Sequence, residues 1–504
     1  MSRILMAAAE MAPFAMEGGL GDALCALSRA LGAAGHDVRV VLPCYGSIDR
    51  DAFGLQPVAS LEVPMGVLGR IAVTVLKGRM PRSPVQSFFV GYDPYYGRRG
   101  IYGHNGDGFT DNDLRYTLLS RAAIEIARHM DWRPDVVHVH DWHTAAIPVM
   151  LNTLYRDDAL FSGAATLLTI HNMLHQGVFD KSLMDVLGVG REHFHLRELE
   201  FFDKVNLLKG GIVHAALINT VSPTYAREIL QPGFAYGIEG IVQGRAADLS
   251  GILNGADYDE WNPETDPLIA ARYSESDLTG KALCKKDLQR AMGLPEKPSA
   301  PLFGLVTRLV KQKGIDLLAE ALPRILDLDV QFVLLGSGEP WSHVYFEELA
   351  GTRPDRFACR IGFEPAMAHR VIAGSDFFVM PSRFEPCGLT QMYSMRYGTL
   401  PIVHATGGLD DTVENFDEAG LEGTGFKFHQ PTAGALYDTI GWAAHTYYHN
   451  GKAIRTLMQQ AMSKRFTWEE AARKYEGLYR LAMKEKRRGT APAASQLQET
   501  VACD

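Results

Sequence analysis

The sequence predicts an α/β protein built from two doubly wound units. Short, β-rich apolar runs alternate with helical patterns almost throughout, which implies parallel sheets covered by helices. The runs fall into two series, parted by a stretch rich in Gly, Asn, Asp and Pro, "LNGADYDEWNPETDP", of the kind that joins domains. At 504 residues the chain is too long for one compact core.

The first series places strands at residues 4–9, 38–42, 136–140, 166–170 and 217–221, with helical stretches such as 22–34 and 144–154. The second places strands at residues 302–307, 330–335, 377–380 and 401–404, with helices over 315–325, 367–373 and 389–397. Each strand run is short and apolar, as a strand buried on both faces requires, and each helical stretch repeats its apolar residues at helical spacing. The resulting boundaries are 1–249 for the first domain and 250–464 for the second. An amphipathic helix closes the fold within 465–486, and 487–504, "RGTAPAASQLQETVACD" after Arg487, is expected to be disordered because it is small and polar.

Composition narrows the function. Hydrophobic and charged fractions of 46% and 22% are those of a globular protein. A net charge of −9 with no basic block before a late KEKRR argues against nucleic acid, whose binding needs clustered Lys and Arg. Six cysteines at 25, 44, 284, 359, 387 and 503 show no zinc or disulfide spacing, which points to a reducing compartment. No signal peptide is expected, and no apolar run approaches the roughly 18 residues of a membrane span. The expectation is a cytoplasmic protein.

In open α/β sheets ligands sit beyond the C-terminal ends of strands, and the polar residues cluster there. The loop "FAMEGGLGDAL" (residues 14–24) follows the first strand. Gly18 and Gly19 would let backbone N–H groups approach an anion, yet Met16 and Glu17 stand where such loops usually carry a cation. A dinucleotide fold is disfavoured, because about ten residues separate strand from helix and the second strand, ending "VVLPCYG", has no acid for a ribose. Arg308 and Lys313 in "TRLVKQKG" could clamp a diphosphate or form a solvated loop. The turn "ATGGLDDTV" could add amides to the same anion. Glu385 in "SRFEPCGLTQ" could bind sugar hydroxyls or merely cap a helix. Asp141 and His171 are similar candidates, and either could merely satisfy local backbone groups. Cys387 is expected to pack, since no paired His is evident. The D-x-D triplets at 111–113, 257–259 and 327–329 are expected by chance, so no metal ligand is assigned.

Eight stretches in order carry a resemblance: "EMAPFAMEGGLGDAL", "HVHDWHTA", "TIHNMLHQG", "NTVSPTYAREI", "SGILNGADYDEWNP", "TRLVKQKGIDLL", "PSRFEPCGLTQMYSMRYGTLPIV" and "TGGLDDTV". The chain resembles the bacterial glycogen synthase and plant starch synthase family. The resemblance implies the GT-B fold, two Rossmann-like domains facing a deep cleft. It also implies transfer of glucose from ADP-glucose to the non-reducing end of an α-1,4-glucan with retained configuration and no metal. By motif position, Arg308 and Lys313 would bind the distal phosphates, and Thr406, Gly407 and Gly408 would supply amides to them. Glu385 would hold the donor glucose beside Cys387, Gly388 and Leu389. His171 would lie at the anomeric centre, Asp141 near the acceptor and Asn254 in the cleft, while Tyr96 and Arg98 would add nucleotide or sugar contacts. The family pattern has a Lys, then a small residue, before Gly-Gly-Leu; here those positions are Met16 and Glu17. Two alternatives stay open, a UDP-glucose transferase of the same fold and a glucan-binding homologue with weak catalysis.

Overall fold

The computed structural model describes residues 1–81, 83–104 and 107–488. The tail expected to be disordered therefore lies almost wholly outside the described residues. The chain divides into two compact units. One comprises Met1–Val221, Ala226–Gly255 and the chain from Trp468 on; the other comprises Ser222–Tyr225 and Ala256–Thr467.

Strand Leu302–Leu309 shows how the second unit is built. Phe303, Leu305 and Leu309 point to one apolar cluster, Leu302 and Val306 to another, because successive strand side chains alternate in direction. Strand Gln331–Gly338 repeats the division with Phe332 and Leu334 on one face, Val333 and Leu335 on the other. Helices Ile315–Ile325 and Ala433–His449 cover the first face, Thr279–Ala291 and Pro365–Gly374 the second. Both faces are apolar, so these strands read in sequence as continuous hydrophobic runs. The six parallel strands lie in the order Phe357–Ile361, Gln331–Gly338, Leu302–Leu309, Phe377–Met380, Leu400–His404, Phe426–Phe428. Strand order reverses between Leu302–Leu309 and Phe377–Met380, which makes their C-terminal ends the expected ligand crevice.

The first unit has its own reversal, between Arg3–Ala7 and Val136–His140, in a nine-stranded sheet. Outward from Val136–His140 run Ala165–Ile170, Leu217–Thr220 and Leu249–Gly251, all parallel. Outward from Arg3–Ala7 runs Asp37–Pro43, then Gln86–Gly91. Here the all-parallel expectation needs correction. Arg70–Arg79 pairs antiparallel with Gln86–Gly91, and Gln56–Pro64 pairs antiparallel with it in turn. A parallel neighbour needs a long crossover, whereas the five residues 65–69 between the last two allow only a hairpin. Most of Gln56–Pro64 is exposed, so it carries no continuous apolar run. Among the described residues no helix is long and apolar enough to cross a membrane.

Helix Trp468–Arg488 completes the first unit. Trp468, Ala471, Ala472, Tyr475, Tyr479 and Ala482 are buried, a spacing that forms one helical stripe. Its two tyrosines enter a buried polar chain. The Asn219 Oδ1 accepts from the Thr169 hydroxyl at 2.6 Å, so Thr169 in turn accepts from Nε2 of His138, also at 2.6 Å. His138 Nδ1 is left to accept from the Tyr479 hydroxyl at 2.9 Å, and Asn219 Nδ2 donates to the Tyr475 hydroxyl at 3.0 Å. Every donor points the same way round. Tyr479→Phe removes one donor and leaves a buried ring nitrogen unpaired, at a cost of about 1–3 kcal/mol. Thermal melting should show a lowered midpoint, and an unchanged midpoint would contradict this network.

Candidate active site

At the reversal in the second unit, Lys313 Nζ donates to Glu385 Oε2 at 2.5 Å and the Ser382 hydroxyl donates to the same oxygen at 3.0 Å. Glu385 is 6% exposed, and its Oε1 makes no hydrogen bond among the described residues. Lys313 ends the short turn Lys311–Lys313, and Gly314 follows in the left-handed region at φ +69°. A Cβ on Gly314 would lie 1.9 Å from the Pro381 carbonyl. That close approach brings the lysine turn against the Glu385 loop. His404 donates from Nδ1 to the Ser382 carbonyl at 2.8 Å and anchors the loop from the next strand. Arg308, at the end of its own strand, is exposed and has no side-chain partner among the described residues. Of the residues predicted from sequence, the structure thus brings Lys313 and Glu385 into contact. Ser382 and His404 were missed, though both stand at strand ends.

The reading of the 406–408 turn changes. Gly408 N–H donates to the carbonyls of Glu385 and Pro386 at 3.1 and 3.2 Å, so it is not an open anion donor. Cβ atoms on Gly407 and Gly408 would lie 2.0 and 2.1 Å from the carbonyls of Glu385 and Cys387. These glycines let two backbones touch. Thr406 precedes the helix Gly407–Thr412 and is buried. Cys387 is buried at 5% exposure. Gly388, at φ +69°, and Leu389 lead into helix Thr390–Arg396, and their amides have no hydrogen-bond partner among the described residues.

In the first unit, Asp141 follows strand Val136–His140 with φ +52°, a conformation Asp tolerates better than most residues. Its Oδ1 accepts from the backbone N–H of His171 at 2.7 Å and of Asn172 at 3.4 Å. Burial pushes the carboxyl up to about 7 against those two bonds. The His171 ring meets His140 through Nε2···Nδ1 at 3.0 Å, and the His140 and His138 rings lie 4.2 Å apart, tilted by 35°. Burial pulls His138 and His171 down to about 3 and His140 and His143 well below 6.5. These are neutral rings. His140 Nε2 is buried and unpaired. An unpaired buried acceptor is commoner than an unpaired N–H, so His140 donates from Nδ1 and His171 carries its own proton on Nδ1.

In the glycine loop, the amides of Glu17 and Gly18 already donate to Glu10 Oε2, at 2.6 and 2.9 Å. The Tyr102 hydroxyl donates to Oε1 of the same buried carboxylate. Glu10 was missed from sequence, though it is the first charged residue beyond the strand. Gly18 and Gly19 have open space where a Cβ would stand, and Met16 is 52% exposed with its side chain over Gly21. Two expected contacts are placed elsewhere. Tyr96 is fully buried and donates to the Arg115 carbonyl at 2.6 Å, so packing occupies it. Arg98 is committed to Asp111 at 2.5 and 2.8 Å and to the Pro94 carbonyl. Asn254 is buried just beyond the edge strand Leu249–Gly251.

Residues 3–244 match the family described as starch synthase catalytic domain, and residues 289–456 match the glycosyl transferases group 1 family. The chain is 57% identical to glycogen synthase 1 of Geobacter metallireducens, over 96% of this chain and 97% of that protein. It is 42% identical to glycogen synthase of Treponema denticola, over 96% and 99%. The solved catalytic domain of starch synthase IV from Arabidopsis thaliana, bound to ADP and acarbose, matches with a TM-score of 0.88 at 33% identity, over 96% of this chain and 99% of that one. Sucrose-phosphate synthase from Thermosynechococcus elongatus, at 17% identity and a TM-score of 0.58, shares the fold. The two doubly wound units, with these family matches and this structural likeness, place the chain among glycosyltransferases of the GT-B fold. Within that class the chain belongs to the glycogen synthase and starch synthase family.

The neutral rings set the response to acid. A histidine held near 3 stays neutral in the folded chain, while in the unfolded chain it binds a proton below 6.5. Stability is therefore full above pH 6.5 and falls as pH drops toward 3, by up to about 1.4 kcal/mol per pH unit for each ring. Asp141, raised to about 7, opposes this, since it favours the folded state less as pH rises from about 4 to 7. Four rings outweigh one carboxyl. The melting midpoint should fall between pH 7.5 and 5.0, and a flat or rising midpoint would refute neutral rings.

Proposed function

We propose that this glycosyltransferase transfers glucose from ADP-glucose to the 4-hydroxyl at the non-reducing end of an α-1,4-glucan, with retention of configuration, as a cytoplasmic glycogen synthase. The observation that carries the reading is the Lys313–Glu385 pair at the strand-order reversal, in a chain of this family. The ADP in the starch synthase IV structure supports an adenine nucleotide as the donor's leaving half.

When the bond to the donor's phosphate breaks, negative charge grows on the diphosphate. Lys313 and the exposed Arg308 are the cations assigned to it, Arg through two parallel N–H groups. They take the part a metal ion plays elsewhere, so the reaction needs no metal or other cofactor. Glu385, with Oε2 fixed by Lys313 and Ser382, has Oε1 for sugar hydroxyls, and the Gly388 and Leu389 amides follow it at the start of helix Thr390–Arg396. In the first unit, neutral His171 offers a hydrogen-bond donor and Asp141 a carboxyl whose pKa near 7 suits proton exchange with a hydroxyl. Neither nucleic acid nor a membrane has a part in this reading.

Purified protein supplied with glycogen and labelled ADP-glucose should place label in the polymer, and UDP-glucose should serve less well. Preference for UDP-glucose would reassign the donor, and no incorporation from either would leave only glucan binding. In the same assay Lys313→Ala should lower kcat/KM about 10- to 150-fold, the loss of one charge-assisted hydrogen bond of about 1.5–3 kcal/mol. Near-normal turnover in that variant would make Lys313 a structural cation.

Met16→Lys tests the loop. A lysine stem can follow the Met16 side chain over Gly21 and bring an ammonium to the open glycine face. It should lower the Michaelis constant for ADP-glucose, by up to about 10-fold where Glu10 and Glu17 compete for the new charge. An unchanged or raised constant would mean that the loop does not contact the donor.

A further inference from the structure

Outside the residues discussed above, the first unit gathers three side chains that could ligate one ion. His193 ends the turn Arg191–His193, Glu198 follows five residues on, and His214 closes helix Leu207–His214. One nitrogen from each ring and one oxygen from the carboxylate all lie within 4.8 Å of one another. His193 Nδ1 donates to Glu198 Oε2 at 2.6 Å, a hydrogen bond whose proton a metal ion would replace, and His214 Nε2 is 3.7 Å from the same oxygen. His214 is only 9% exposed, and its Nε2 is buried without a hydrogen-bond partner. A separation of 3.7 Å is too long for a hydrogen bond. It is close to the spacing of about 3.3–3.5 Å between neighbouring ligands on a tetrahedral zinc ion with bonds of about 2.0–2.2 Å.

We infer that His193 Nδ1, the Glu198 carboxylate and His214 Nε2 form a binding site for a divalent transition-metal ion of the zinc class, which ties the 191–200 segment to the end of helix Leu207–His214. Two imidazoles and one carboxylate are ligands that suit zinc, with water completing the shell. His195 is the near alternative, with Nε2 3.9 Å from Glu198 Oε1. Its Nδ1 accepts the Arg197 N–H at 3.2 Å, so its proton sits on Nε2 and that nitrogen has no lone pair for a metal. The site is separate from the Lys313–Glu385 pair, and its role is structural. The competing account is that Glu198 only accepts the hydrogen bond from His193 and binds no ion.

The test is a titration of chelator-treated, full-length protein with Zn²⁺ alone, followed by calorimetry and thermal melting. One equivalent should bind and raise the melting midpoint. His193→Gln and His214→Gln should each weaken that binding by at least about 100-fold, beyond the 10- to 100-fold that loss of a supporting partner costs. His193 lies on a partly exposed turn, so its variant reports even if the His214 variant does not fold. His195→Gln should leave the affinity within a few-fold. Binding of less than one equivalent would overturn the site, and so would full affinity in the His193/His214 double variant. Loss of binding in His195→Gln would overturn this ligand set.

Discussion

Three loops of the second unit close on one another with no side chain between their backbones, and the geometry of the candidate site depends on that. Gly314 lies on the Pro381 carbonyl, Gly407 on that of Glu385 and Gly408 on that of Cys387, each closer than any Cβ allows. Lys313 and Glu385 are therefore positioned by main chain rather than by adjustable packing. A buried ion pair is a weak source of stability, because desolvating two charges offsets most of their attraction. The glycines and the pair make more sense together as a rigid frame for a ligand than as a device for holding the fold.

The polar groups at the strand-order reversal of the first unit have a different chemistry. Its histidines are stripped of charge by burial, and the proton of His138 is directed through Thr169 by the acceptor Asn219 Oδ1. The helix Trp468–Arg488 is part of that ordering through Tyr475 and Tyr479. A neutral ring of fixed tautomer can donate to or accept from a sugar hydroxyl, but it cannot balance a diphosphate. In the proposed reaction that charge falls to Arg308 and Lys313, which the sequence places in the other unit.

What was legible in sequence follows from what each element buries. Strands such as Leu302–Leu309 and Val136–His140 are apolar on both faces, so they announce themselves, and the polar residues beyond their C-terminal ends mark both reversals. The antiparallel strands Gln56–Pro64, at the sheet edge, and Arg70–Arg79, beside it, have exposed residues along their length and leave no such run. Motif position gave Glu385 and Lys313 but could not show that they touch across 72 residues. Nor could it show that Tyr96 is spent on Arg115 or that the Gly408 amide is spent on backbone carbonyls. His193 and His214 stand 21 residues apart in no recognised spacing, so their convergence on Glu198 was invisible too.

The glycine loop shows why a missing cation need not unmake a site. A loop that depends on a bound phosphate for its shape would lose that shape along with the ligand. Here Glu10 supplies the anion from within the chain, and the Glu17 and Gly18 amides and the Tyr102 hydroxyl satisfy it. The arrangement needs no lysine at position 16, and Met16 instead rests its side chain on Gly21. Gly18 and Gly19 still face open space at the start of helix Gly19–Ala33, where the leading amides favour an anion. A fixed carboxylate beneath the loop would repel a second anion, and in the proposed reaction a lysine at position 16 would offset that repulsion. In the proposed reaction the effect of Met16 therefore falls on donor affinity, while the fold of the loop rests on Glu10.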